Sequence, residues 1–187
     1  MVGRPAIGVG ATQRRGNQSM PVRSKLRWAV LAALVVAGPA WAREDPIRPD
    51  PRLTPGAVAT EDPAVFCQDG YARSHRHTSG RLKARVYRAY GVPRGARHYE
   101  MDHLIPLSLG GADTAANLWP ESRDTRPWNA AAKDRLEWRL LRLVCGGQVP
   151  AMEAQQAIAA DWIEAYQRHC PTEADCPRYP ATHGGRD

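Results

Sequence analysis

Apolar residues recur at helical spacing in three segments of the chain, 79–91, 128–147 and roughly 150–168. The shared faces carry Leu82, Val86 and Tyr90 in the first segment, Ala132, Leu136, Leu140 and Leu143 in the second, and Ala154, Ile158, Trp162 and Tyr166 in the third. Glycine follows the first two faces, and Pro150 precedes the third, where its missing N–H costs nothing. The pattern predicts three helices.

A different pattern separates the first two helices. Residues 98–109, "HYEMDHLIPLSL", alternate partly between polar and apolar positions and are rich in strand-forming residues. Gly110 and Gly111 follow as a turn, and "NLWP" at 117–120 offers a short second arm. The sequence therefore predicts a small α+β domain with the order helix, hairpin, helix, helix.

The regions outside this pattern differ from it in composition. Residues 1–42 combine basic residues with an apolar run that ends in Ala40-Trp41-Ala42, which is typical of a secretory signal peptide, with Met20 as an alternative start. An uncleaved membrane anchor is the other interpretation, although the run is short for a bilayer. Residues 43–63 hold five prolines and are predicted to be a linker, residues 64–168 the domain, and residues 169–187 a loosely ordered tail.

The distribution of charge is more informative than its total. The chain carries 26 basic and 19 acidic residues, but six of the basic residues and none of the acids lie in the leader, which leaves 20 against 19. Between Gly70 and Tyr99 there is no acid. The basic residues of this segment are Arg73, Arg76, Arg81, Lys83, Arg85, Arg88, Arg94 and Arg97. They predict a polyanion-binding surface, with a solvated helix face as the alternative.

The four cysteines all follow the leader, as expected for disulfides in an exported protein. Three pairings are possible. We favour Cys67 with Cys145, which joins the start of the domain to the end of its longest helix, and Cys170 with Cys176, which closes a small loop. Zinc binding is the competing use, but the sequence has no C-x-x-C pair to support it.

The candidate catalytic residues lie in the predicted hairpin. Asp102 is a hard oxygen ligand for a divalent metal, and His103 is a base with an ordinary pKa near neutrality. Such a pair suits phosphodiester hydrolysis, in which a metal neutralises the phosphate and the imidazole takes a proton from the attacking water. Neighbouring side chains on a strand point to opposite faces, so the two reach one site only if the backbone bends or if they approach it from different sides.

The motif "DHLIPLSLGG", followed by "NLWPE" and "WNAAAKDRLE", resembles the HNH endonucleases with the ββα-metal fold. The resemblance covers about residues 64–168 and is most specific over 99–137. By position, it implies that Asp102 is a metal ligand, His103 the general base, and Asn117 the residue that ties the hairpin loop together and orients the histidine. Asn129 best matches the third position, a metal ligand at the helix start.

Several alternatives remain open for these residues. The spacing between Asn117 and Asn129 is longer than in many relatives, so the substitutes for the second ligand are Glu121, Asp124 and Asp134. Asn129 also has the position of a helix N-cap. Lys133 could contact the scissile phosphate or cover the helix face.

The resemblance implies an exported, periplasmic or secreted, HNH endonuclease that cleaves DNA, with RNA as a second substrate, at low sequence specificity. It would use Mg²⁺, with Mn²⁺ as a substitute, and would not associate stably with membranes after loss of the leader. The alternative is a non-catalytic nucleic-acid or polyanion-binding domain with an eroded HNH core. A third option is a structural or partner-binding exported protein.

Overall fold

The computed structural model describes residues 47–93 and 96–177. The predicted leader, the alternative start at Met20, Arg94 and the end of the predicted tail lie outside these residues. The described part is mixed α and β, with five helices, two strands and two short 3₁₀ turns. This agrees with the predicted α+β class.

Three helices precede the hairpin. Helix α1 spans Pro63–Phe66, α2 spans Tyr71–Ser74 and α3 spans Gly80–Ala89. The hydroxyl of Ser79 caps α3 by accepting the N–H of Leu82, and Val86 is buried on the predicted face. The first predicted helix is thereby confirmed, and its basic residues Arg81, Lys83, Arg85 and Arg88 are exposed.

The predicted hairpin is present, with β1 at Tyr99–His103 antiparallel to β2 at Leu118–Ser122. His103 is paired with Leu118 and Tyr99 with Ser122. The apolar run after His103 does not continue the strand but turns into a 3₁₀ segment at Leu107–Leu109. Pro106, which has no N–H to give a ladder, stands just before this turn.

The double glycine allows two backbone segments to come together inside the hairpin loop. Gly110 has a φ of 76°, and a Cβ at Gly111 would lie 1.9 Å from the carbonyl oxygen of Ile105. At Gly110 a Cβ would lie 2.2 Å from the carbonyl oxygen of Thr60. Only glycine fits at both positions, so the loop folds back against the strand end and the preceding segment.

The last two helices pack together and against the hairpin. Helix α4 spans Ala130–Cys145 and α5 spans Ala151–His169, close to the two predicted ranges. Leu136, Leu140 and Ile158 are fully buried in the main core, together with Trp119 of β2. No described helix is both long and apolar enough to cross a lipid bilayer.

The two faces of the hairpin meet different helices. Met101 and Leu118 pack against Val86 of α3 in a small separate cluster. Trp119, which points to the other face, belongs to the core formed with α4. Met101 and His103 therefore lie on the α3 face of the hairpin, and Asp102, which is paired with Trp119, lies on the α4 face.

The described part of the predicted linker contacts the domain. The indole N–H of Trp162 donates to the carbonyl oxygen of Ile47 at 2.9 Å, and Arg48 pairs with Asp161 at 2.8 Å. Thr54 is 1% exposed and donates its hydroxyl to the carbonyl oxygen of Leu118. Residues 47–62 thus lie along the fold and not apart from it.

Both favoured disulfides are confirmed. Cys67 is bonded to Cys145, which joins the residue after α1 to the last residue of α4, and Cys170 is bonded to Cys176. The described residues contain no free cysteine.

Candidate functional site

His103 ends β1 with its side chain buried on the α3 face of the hairpin, 1% exposed. Its Nε2 lies 2.9 Å from a carboxylate oxygen of Asp113. Since an ionised carboxylate only accepts hydrogen bonds, the ring proton is on Nε2 and the lone pair is on Nδ1. Among the described residues, Nδ1 has no hydrogen-bond partner.

The surroundings of His103 favour the neutral imidazole. Burial lowers its pKa, and the hydrogen bond to Asp113 opposes this effect without overcoming it. Asp113 is partly buried, which disfavours its charge, but donors from Thr78, His103 and the backbone of His77 lower its pKa overall. The result is a neutral base held by an ionised carboxylate, the arrangement used to orient a histidine for proton transfer.

Asp113 was missed by the sequence analysis, although it lies only ten residues after His103. It follows the double glycine, in a loop whose course is decided by the close backbone contacts at Gly110 and Gly111. An acid shortly after a histidine and a tight turn was the available signal.

Asn117 fastens the loop that joins the two strands. Its side-chain oxygen accepts the N–H of Ile105 at 2.9 Å, and its amide nitrogen donates to the carbonyl oxygens of Ile105 and Ala112 at 2.8 and 3.0 Å. The side chain is fully buried. These bonds fix the loop immediately after His103.

Asp102 points to the opposite face, toward α4, and meets a lysine there. Its carboxylate lies 2.6 Å from Nζ of Lys133, which also donates to the carbonyl oxygen of His103 at 2.8 Å and to Glu137. Glu121 completes this group, which we call the acidic cluster and define as Asp102, Glu121, Lys133 and Glu137. Its four residues are at most 5% exposed.

The pKa values of two groups in the acidic cluster, Glu121 and Lys133, are raised. Burial and the nearby Asp102 carboxylate raise the pKa of Glu121 well above its ordinary value. Burial opposes the charge of Lys133, but Asp102, Glu137 and Glu121 together raise its pKa well above its ordinary value. Lys133 is therefore a charged ammonium inside the protein, which is tolerable only because it is paired.

The predicted metal pair, Asp102 and Asn129, does not fit a divalent ion in this arrangement. A carboxylate oxygen of Asp102 is bonded to an ammonium. The side-chain oxygen of Asn129 accepts the N–H of Ala132 at 3.0 Å as the N-cap of α4. Over residues 47–93 and 96–177, no three His, Cys, Asp or Glu side chains are placed to hold a metal ion.

The substitutes for the second ligand are also dispersed. Glu121 lies in the acidic cluster, Asp124 pairs with His98 at the surface, and Asp134 is half-buried on α4. Lys133 does not meet a phosphate in this arrangement, because its ammonium is 1% exposed and faces three protein oxygens.

The other predicted phosphate-binding residues do lie at the surface. Arg73, Arg81, Lys83, Arg85, Arg88 and Arg97 are exposed, and Arg76 is half-buried. An open cleft of about 420 Å³ runs beside α3. We call it the α3 cleft; it is lined by Gly80, Lys83, Tyr87, Ala96, Arg97, Tyr99 and Arg123.

No family model matches this chain, and neither a curated protein nor a solved structure matches it.

Proposed function

We propose that this domain binds the phosphate backbone of nucleic acid in the α3 cleft and hydrolyses it with His103 as the general base. The proposal rests chiefly on one observation: His103, whose Nδ1 has no hydrogen-bond partner in the described part of the chain, lies on the same face of β1 as Tyr99 of the basic cleft. The HNH resemblance of residues 99–137 points to the same chemistry.

The cleft has the composition of a site for a charged strand. Lys83, Arg97 and Arg123 supply positive charge, although Arg123 is partly neutralised by Glu100 at 2.7 Å. Tyr87 and Tyr99 supply aromatic rings on which bases can stack. A groove with both features binds a nucleic-acid strand through its backbone, without a requirement for particular bases.

The cleft and the histidine lie at opposite ends of β1. Tyr99 and His103 are four residues apart, which corresponds to about 13 Å along a strand. Arg76, whose charge is near enough to lower the pKa of His103, lies at the histidine end. A strand held in the α3 cleft can therefore extend toward His103.

The chemical step that these residues support is a proton transfer. Nδ1 of neutral His103 takes a proton from a water molecule as the water oxygen attacks phosphorus and the bond from phosphorus to the leaving sugar oxygen breaks. The leaving oxygen takes a proton from solvent. The ring then carries a positive charge, which the ionised Asp113 stabilises through the Nε2 hydrogen bond. No step is assigned to a metal, because Asp102 and Asn129 are engaged with protein groups.

Binding without hydrolysis is the second candidate, and the burial of His103 favours it. A side chain 1% exposed cannot meet a substrate unless the adjoining α2 to α3 segment moves.

Both candidate functions include export to the periplasm or the medium. The two disulfides are compatible with it.

A cleavage assay separates the candidates. Plasmid DNA and single-stranded RNA are incubated with the protein, His103→Ala or Asp113→Asn, in the presence of Mg²⁺ or of EDTA. We expect both variants to lose about 100-fold or more in cleavage rate while still binding the substrate. His169→Ala, which removes a histidine at the end of α5, is the matched control.

The same assay can refute the proposal. Substrate binding without cleavage by the unaltered protein on either substrate supports the second candidate. Absence of both binding and cleavage rejects both. Cleavage that survives His103→Ala unchanged rejects His103 as the base.

A further inference from the structure

We propose that the acidic cluster is a cation site whose permanent occupant is the ammonium of Lys133, which takes the place of a divalent metal at Asp102. The inference concerns the cation of the hairpin and does not depend on whether the domain cleaves nucleic acid. Metal binding can be measured in the absence of any substrate, so the two proposals fail separately.

The ammonium is fully coordinated by the chain. An ammonium has three N–H donors, and Nζ of Lys133 has three oxygen acceptors, on Asp102, His103 and Glu137. The acceptors come from β1 and from the next turn of α4. Lys133 thereby ties the hairpin to the helix as a shared cation would.

A divalent ion cannot join this arrangement. To coordinate Asp102, Mg²⁺ would have to lie about 2.1 Å from a carboxylate oxygen. One oxygen of this carboxylate is already 2.6 Å from the ammonium. Two cations at such a separation repel strongly in a buried site. Mg²⁺ also retains several water molecules, and the buried residues of the cluster, at most 5% exposed, leave little room for them.

Glu121 supports the description of the cluster as a cation site. It lies on the same hairpin face as Asp102, and its Oε1 is buried with no hydrogen-bond partner in the described part of the chain. The cluster thus has more carboxylate oxygen than one ammonium engages. Without Lys133, Asp102 and Glu137 would lose the ammonium that both contact, and the buried carboxyl groups of β1, β2 and α4 would be open to another cation.

The first experiment observes the ammonium directly. The full chain contains three lysines, Lys25, Lys83 and Lys133, so its lysine ¹⁵N NMR spectrum is simple. We expect one slowly exchanging ammonium signal that is absent from Lys133→Met, present in the matched Lys83→Arg variant, and unchanged by millimolar Mg²⁺. The absence of a protected signal, or its loss on addition of Mg²⁺, would overturn the proposal.

The second experiment measures Mn²⁺ by titration calorimetry on the unaltered chain, Asp102→Asn, Lys133→Ala, and the double variant. The unaltered chain and Asp102→Asn should give the same heats, because Asp102 is not open to metal. Lys133→Ala should acquire a Mn²⁺ site that the double variant lacks.

Two results contradict the proposal. One is Mn²⁺ binding by the unaltered chain that Asp102→Asn abolishes. The other is a folded Lys133→Ala chain that binds no Mn²⁺ at the cluster. If Lys133→Ala does not fold, the first comparison and the NMR signal decide the question without it.

Discussion

The ammonium of Lys133 lies 2.6 Å from the carboxylate of Asp102, and both side chains are almost completely buried. The contact joins the hairpin to α4 across 31 residues of sequence. Asp102 faces the helix while its neighbour His103 faces the other way, because successive side chains of a strand alternate between its two faces. Asp102 acts here as a partner for a protein cation, and in the proposed function the general base is His103, oriented by Asp113.

Replacing Lys133 by methionine should destabilise the domain strongly. Methionine fills similar space but leaves Asp102 and Glu137 without their counter-charge, and breaking a buried ion pair from one side costs about 3 kcal/mol or more. Urea unfolding followed by tryptophan fluorescence measures the change. Lys83→Met, at an exposed position of α3, should change the free energy of unfolding by less than about 0.5 kcal/mol. Equal midpoints for the two variants would contradict the role of Lys133.

Asn129 can be tested as a helix cap. Asn129→Ala should lower the free energy of unfolding by about 1 kcal/mol, because the N–H of Ala132 loses its acceptor. Asn129→Ser keeps a capping oxygen and should restore most of this loss and leave nucleic-acid cleavage unchanged. If Asn129→Ser unfolds like the protein but abolishes cleavage, the residue has a chemical role beyond the cap.

The stability of the loop after His103 should depend on the side chain of Asn117. Asn117→Leu removes the partners of the N–H and C=O of Ile105, and each unsatisfied buried group costs about 1–3 kcal/mol. Hydrogen exchange at the amide of Ile105 should accelerate by more than exchange within α5. Unchanged protection of this amide would show that the loop holds without Asn117.

Binding to the α3 cleft should weaken with salt. The double variant Lys83→Gln and Arg97→Gln removes two positive charges from the cleft lining. If both contact phosphates, the slope of log K against log salt concentration should decrease by about 2. Fluorescence anisotropy with a labelled oligonucleotide gives this slope. Arg168→Gln, on α5 and paired with Glu164, should leave it unaltered.

The contact of Arg48 with Asp161 should make the free energy of unfolding depend on pH in the acidic range. Partial burial disfavours the charge of Asp161, but the Arg48 guanidinium and the N–H groups of Glu164 and Ile163 lower its pKa below the ordinary 3.8. A carboxyl with a lowered folded-state pKa stabilises above its unfolded pKa and loses this contribution as the pH falls through the folded one. The pair is partly exposed, so the contribution should be below about 1 kcal/mol.

Unfolding of the protein and Asp161→Asn over a pH series measures this effect. The protein should be the more stable of the two at neutral pH, and the difference should vanish well below pH 3.8. The exposed Asp69→Asn variant serves as the control. A difference that persists in strong acid would show that the charge of Asp161 is not its cause.

Residue order indicated the hairpin, the three longer helices and the favoured cross-links of this domain, whereas the short helices α1 and α2 were not predicted. The spacing of Leu82, Val86 and Tyr90 indicated α3, and the longer apolar faces indicated α4 and α5, because helix periodicity is a local property of the chain. The strand-forming residues on either side of Gly110 and Gly111 indicated the hairpin, and the pairing favoured among the three possible for four cysteines is the one observed.

The packing of the elements against one another set which side chains meet. Adjacent residues of a strand point to opposite faces, so the identity of the partner for Asp102 depended on which helix covers each face. Packing of α4 on the hairpin face that carries Asp102 brought Lys133 to this carboxylate. Folding of the loop at Gly110 and Gly111 brought Asp113 to His103. Both contacts arise from long-range packing and backbone crowding, which residue spacing alone does not encode.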